Sequence, residues 1–138
     1  MKAISTARVC SDGPHYRHRI RTGEHDLIAD EPAAAGGQDA GPAPYDYLLA
    51  GLGACTAITL RMYAEKKGWE LRELRVELTL LKNREGDTRI ERVLHSDAGL
   101  SDEQWLRLLE VAGKTPVTRT LQEGATIDTR RGDEAPAA

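Results

Sequence analysis

The chain has 138 residues, 40% hydrophobic and 30% charged, with 13 Gly, 6 Pro and no Phe, which is one domain's worth of sequence around a single core. Its 19 Lys plus Arg against 22 Asp plus Glu give a formal net charge of -3, which leaves no overall electrostatic footprint for nucleic acid. Two cysteines, Cys10 and Cys55, are too few for a disulfide framework, and the opening segment lacks the apolar stretch of a signal peptide, so the expected compartment is the cytoplasm.

Lys2 to Val9 reads as a strand, Ser11-Asp12-Gly13-Pro14 as a turn, and Tyr16 to Thr22 as a second extended segment before Gly23. A meander is the simplest arrangement. Alternation along the second segment puts Arg17, Arg19 and Arg21 on one face with His15, and Tyr16, His18 and Ile20 on the other. Because His15 and His18 then point apart, no metal site is expected, and no cofactor is implied.

Glu31 to Pro44 is rich in Ala, Gly and Pro, too small in side chain to pack a regular element, and reads as a long loop. A helix follows from about Tyr45 to Lys67. Pro44 suits a first helical position, Asp46 favours the first turn, and Lys66-Lys67-Gly68 supplies terminal cations and a left-handed stop. The apolar run from Tyr47 to Leu60 is about fourteen residues, short of the roughly twenty that span a bilayer, so no membrane partner is expected. Since the helix middle is apolar on every side, it belongs in a core or an interface.

Leu74, Val76, Leu78 and Leu80 alternate with polar residues as a half-buried strand, Asn83 to Asp87 turns, and Arg89 to His95 returns as the second arm of a hairpin. Ser101 with Gln104 is a capping-box pattern opening a second amphipathic helix that ends at Gly113. Pro116 opens a short third helix reaching Leu121, Ala125 to Thr129 is read as a last strand, and the chain ends in a polar tail. Residues 1–130 form one domain and 131–138 an extension without fixed structure.

On composition a lone Cys55 reads as a small buried hydrophobe. It sits too far along its helix for the helix dipole to activate it, so a reactive thiol there needs a neighbouring cation such as arginine. The arginine stripe is one source.

Gly36-Gly37-Gln38-Asp39-Ala40-Gly41-Pro42-Ala43-Pro44-Tyr45-Asp46-Tyr47-Leu48-Leu49-Ala50-Gly51-Leu52-Gly53-Ala54-Cys55-Thr56-Ala57-Ile58-Thr59-Leu60-Arg61 resembles the central helix of the OsmC/Ohr family, the osmotically inducible and organic hydroperoxide resistance proteins. Lys114-Thr115-Pro116-Val117-Thr118 resembles its second motif, where the usual pattern is Lys-Cys-Pro-Val-His. The order of elements agrees over nearly the whole chain, as in an OsmC-like branch without the second cysteine. The resemblance implies an α+β fold with antiparallel sheets, a long buried central helix and an intertwined homodimer.

It also implies a thiol peroxidase chemistry. Cys55 matches the family's reactive cysteine, Thr115 stands at the resolving cysteine, Thr118 at the histidine and Tyr45 at the glutamate, with Asp46 the nearest carboxylate. Arg19 is the choice for the family's arginine, with Arg17 and Arg21 as alternatives on the same face. In one helix Asp46 and Cys55 lie about 14 Å apart along the axis on roughly opposite faces, so contact between such groups needs a partner chain or a bend. The expected function is a hydroperoxide reductase working through Cys55 with an external thiol reductant. The alternative is a non-catalytic protein binding a small apolar ligand in the dimer cleft.

Overall fold

The computed structural model describes residues 1–133. Three strands, β1 (Ala7–Ser11), β2 (His18–Thr22) and β3 (His25–Ala29), form an antiparallel meander in the order β1-β2-β3. After a single 3-10 turn at Ala33–Ala35 comes the long helix α1 (Pro44–Lys67). The hairpin β4 (Leu74–Lys82) and β5 (Thr88–Ser96) forms a separate two-stranded sheet, and α2 (Asp102–Ala112) and α3 (Pro116–Glu123) complete the chain. This is the α+β arrangement of antiparallel sheets and a central helix expected above.

The core follows from the two periodicities. Leu52, Thr56, Leu60 and Ala64 recur every fourth residue on the buried face of α1, while Leu74, Val76, Leu78 and Leu80 take the same side of β4. At Gly53 the helix lies close on the strand, since a Cβ there would lie 2.8 Å from Leu78 Cδ1. Leu60, Ala64, Leu71, Leu108 and Ala112 make the buried cluster, edged by Tyr63, Trp69 and Trp105. The ends are set as the sequence predicts. Gly68 is left-handed at φ 71°, and Ser101 and Gln104 exchange side-chain to backbone hydrogen bonds of 3.1 and 2.8 Å.

The opposite face of α1 is not covered within the chain. Ile58 is 54% exposed and Met62 59%. By length and composition this helix meets the requirement for crossing a bilayer, yet its other face is locked into the core. The three-stranded sheet is likewise bare, and registers Val9 against Ile20 and Ile20 against Leu27 as an apolar row on one side. The chain exposes 11080 Å², whereas a compact chain of this mass exposes roughly 7,000 Å².

Two expectations change. The first strand lies at Ala7–Ser11 rather than at Lys2 to Val9, and Ala125 to Thr129 is not a strand. That segment is coil with Ile127 85% exposed, because no neighbouring strand pairs with it. Of the predicted unstructured extension, 131–133 is exposed coil and 134–138 lies outside the described residues.

The Ala/Gly/Pro segment is a loop, but an ordered one. Asp30 is buried, and its carboxylate accepts hydrogen bonds from the backbone N–H groups of Glu31 (2.8 Å), Gln38 (3.2 Å) and Ala40 (3.1 Å). These bonds, that of Ala40 foremost, outweigh desolvation and hold the carboxyl below its ordinary pKa. Gly37 and Gly41 permit the closure. A Cβ would fall 2.0 Å from the Glu31 carbonyl oxygen at the first and 2.4 Å from that of Ile28 at the second. The Tyr47 hydroxyl donates to the Ile28 carbonyl, tying α1 to the end of β3.

Candidate functional site

Cys55 is a half-buried free thiol in the middle of α1. Seven residues separate it from Leu48, which at 100° per residue leaves them about 20° apart on one helix face. Leu48 lines a cavity of about 600 Å³ between α1, the hairpin and α3, walled also by Tyr45, Leu52, Leu80, Ile90 and Leu121. Arg92 brings a positive charge into that wall.

Arg92 is the cation in that wall, and sequence reasoning missed it. In β5 the helix-facing positions are Ile90, Arg92, Leu94 and Ser96, opposite Leu80, Leu78, Val76 and Leu74 of β4. An arginine in phase with an apolar row was the available signal. Burial lowers its pKa, and the charge interaction with Cys55 acts in the opposite direction. No carboxylate among the described residues forms an ion pair with Arg92; its hydrogen-bond partners are neutral. Nη1 donates to Thr56 Oγ1 (2.8 Å) and Thr118 Oγ1 (2.9 Å), and Nη2 to the Ala112 carbonyl (2.8 Å).

That set continues inward. Thr118 Oγ1 lies 2.6 Å from Thr115 Oγ1 and 3.4 Å from the Ala112 carbonyl, and Thr56 Oγ1 donates to the Leu52 carbonyl at 2.7 Å. Thr56, Thr115 and Thr118 are all buried. With Thr115 as donor, Thr118 accepts from both Arg92 and Thr115 and donates to Ala112, using its full capacity. Thr115 is the N-cap residue of α3, yet its hydroxyl makes no capping bond. It forgoes an interaction usually worth about 1 kcal/mol and turns to the side chain of the residue whose N–H it would have capped.

The other sequence candidates lie elsewhere in the chain. Arg19 stands on β2 directly opposite Cys10 of β1, 3.8 Å from Asp12, on a sheet separate from the one under Cys55. Arg21 pairs with Asp26 at 2.8 Å, and Arg17, in the turn before β2, sits 3.5 Å from Asp12. Asp46 Oδ2 accepts from the Ala43 N–H at 2.9 Å, closing the N-terminus of α1. Tyr45 faces the cavity with Lys82 Nζ 5.5 Å from its ring centre. Within one chain, then, Arg92 is brought to Thr56, the residue after Cys55, and to Thr118, whereas Arg19 and Asp46 are engaged elsewhere. Cys10 is exposed and unpaired. Among the described residues no group of three or more His, Cys, Asp or Glu is placed to hold a metal ion.

Residues 36–130 match the family model described as OsmC-like protein. No curated protein matches the chain. Among solved structures, a Psychrobacter arcticus protein named for osmotic stress induction and detoxification response superposes with a TM-score of 0.76 at 17% identity, covering 87% of this chain and 90% of that one. An organic hydroperoxide resistance protein OsmC from Legionella pneumophila gives 0.65 at 20% identity over 87% and 90% of the two chains. The organic hydroperoxide resistance protein OhrB of Bacillus subtilis gives 0.61 at 22% identity over 87% and 91%. At these identities the likeness is one of fold.

Proposed function

Because the chain belongs to the OsmC-like protein family, we propose that it is a thiol-dependent hydroperoxide reductase acting through Cys55, with an external thiol as reductant. The observation that carries this reading is a half-buried thiol next in sequence to Thr56, which accepts from a guanidinium that has no carboxylate partner among the described residues. In this reading Arg92, hydrogen-bonded to the residue after Cys55, is the neighbouring cation that a reactive thiol needs. The thiolate sulfur attacks the terminal oxygen of an organic hydroperoxide, the O–O bond breaks, and the alkoxide leaves with the bonding pair and takes a proton from water. Cys55 is left as a sulfenic acid. A first external thiol condenses with it, releasing water and forming a mixed disulfide, and a second thiol frees Cys55 and leaves as the oxidised disulfide. Thr115 cannot take the first thiol's place, so the cycle depends on that outside reductant. The leucine and isoleucine side chains in the cavity wall, Leu48, Leu52, Leu80, Ile90 and Leu121, suit the organic part of the peroxide.

The working unit in this proposal is a homodimer, and the surface left bare by one chain supports it. A second copy would cover the Ile58–Met62 face and the Val9-Ile20-Leu27 row, and it is the route by which Arg19 or Asp46 of one copy reaches Cys55 of the other. Two free thiols suit a reducing cytoplasm.

Turnover of cumene hydroperoxide with dithiothreitol tests the reading. Wild type should consume peroxide and Cys55→Ser should not, while Cys10→Ser remains active. Equal rates for wild type and Cys55→Ser would reject it. The cavity also favours a second reading, a non-catalytic carrier of a small apolar ligand. Saturable binding of an apolar fluorophore, with no sulfenic adduct on Cys55 under peroxide, would select that one.

A further inference from the structure

We infer that Thr115, acting through Thr118, is a positioning residue that holds the Arg92 guanidinium at the Cys55–Thr56 turn of α1. The inference rests on Cys55 being the reacting thiol and adds a role for the residue at the family's second-cysteine position. Where the family's pattern has a thiol that closes a disulfide, this chain has a hydroxyl that orients a cation.

Three observations converge. Thr115 is 1% exposed and spends its hydroxyl on Thr118 Oγ1 at 2.6 Å rather than on capping α3. Thr118 in turn accepts from Arg92 Nη1 at 2.9 Å. The same Nη1 donates to Thr56, the residue following Cys55, and Nη2 is fixed on Ala112. The guanidinium is thus held on three sides by α1, the end of α2 and α3, and its plane cannot turn without breaking bonds to each. Thr115 is the outermost member and reaches Arg92 only through Thr118.

Other charges do not account for the same effect. The neighbours of Cys55 three and four residues away on α1, Gly51, Leu52, Ile58 and Thr59, are uncharged. On the helix-facing side of β4 the one cation, Lys82, lies at the strand end over the Tyr45 ring. Arg119 and Glu123 of α3 are exposed, and Glu110 of α2 is paired with Arg107 at 2.8 Å. Asp46 caps its own helix.

The test is the pH dependence of Cys55 alkylation by iodoacetamide in the full-length Cys10→Ser protein. Thr115→Val should move the midpoint of reactivity upward and slow the reaction at pH 7 by about five- to tenfold, on the scale of up to one pKa unit. Thr115→Ser keeps the hydroxyl and should keep the profile. Adding Thr115→Val to Thr118→Val should change nothing further, because the first acts through the second. A Thr115→Val protein that melts earlier but alkylates with the wild-type profile would overturn the inference. So would a Thr115→Ser profile displaced like that of a valine. If Thr115→Val does not fold, Thr118→Val and Thr115→Ser still decide: the first must shift the profile and the second must not. Alkylation needs no peroxide. A shifted profile without turnover therefore leaves the inference standing and removes the peroxidase reading, whereas Cys55-dependent turnover with an unmoved profile does the reverse.

Discussion

Ile58→Glu separates a self-sufficient chain from one that needs a second copy. The side chain lies on the uncovered face of α1 and is 54% exposed. If the chain stands alone, a charge there is a surface change worth no more than about 0.5 kcal/mol, and the glutamate is simply hydrated. If a second copy covers that face, the arithmetic differs. Fully burying an isoleucine gives about 1.5–3 kcal/mol, so covering the remaining half contributes roughly 1 kcal/mol per copy. A two-fold interface counts that twice, and an unpaired carboxylate forced into the contact costs several kcal/mol more unless the copies separate. The dimer should weaken by at least about 4 kcal/mol, close to three decades in dissociation constant. Sedimentation equilibrium at micromolar chain concentration reads the mass directly, with Glu65→Gln as a charge control one turn from Met62 on the same helix. A variant that keeps the wild-type mass and unfolds at the wild-type denaturant midpoint would refute the reasoning, and with it the assignment of this face to a second copy.

Leu60→Ala opens a cavity beside Leu71 and Leu108, all three at 0–1% exposure, and should cost about 2–5 kcal/mol by urea unfolding; a loss under 1 kcal/mol would mean the cluster is not the core. Gly41→Ala pushes a methyl onto the Ile28 carbonyl oxygen, 2.4 Å away, and should cost about 1–3 kcal/mol. Gly99→Ala, which meets open space, is its control, and equal losses would show that the loop can widen freely. Asp30 is held below its ordinary pKa by the Ala40, Glu31 and Gln38 N–H groups. Its contribution is therefore complete above the unfolded value of about 3.9 and disappears as pH falls through the lower folded value. Thermal unfolding between pH 6 and 3 should show a steeper acid loss for wild type than for Asp30→Asn, and parallel curves would reject the role assigned to that carboxylate.

What could be read from the sequence was what repeats locally. The 24 residues of α1 carry both their stop signal and their apolar run, the hairpin alternates with a period of two, and the Ser101-Gln104 pair announces α2. Cys55 was placed on the right element by the same reading. Arg92 was not identified, because its importance comes from pairing opposite Leu78 and facing a helix more than thirty residues earlier. The loop before α1 looked formless because it lacks bulk. Its small residues are instead what lets Asp30 gather three backbone N–H groups within 3.2 Å. Ala125 to Thr129 is coil because it pairs with none of the strands, a long-range choice that its local pattern does not carry.

Every strand except β2 leaves one side of its backbone unpaired, so the two sheets between them present four open edges. Open edges are templates for indiscriminate pairing. Those strands carry charged side chains, Arg8, Asp26, Arg75 and Glu91 among them, and charges on edge strands disfavour such pairing. Refolding yield should therefore pass through an optimum in chain concentration. Below it the chains meet too rarely to form the proposed dimer, and above it wrong edges find each other first.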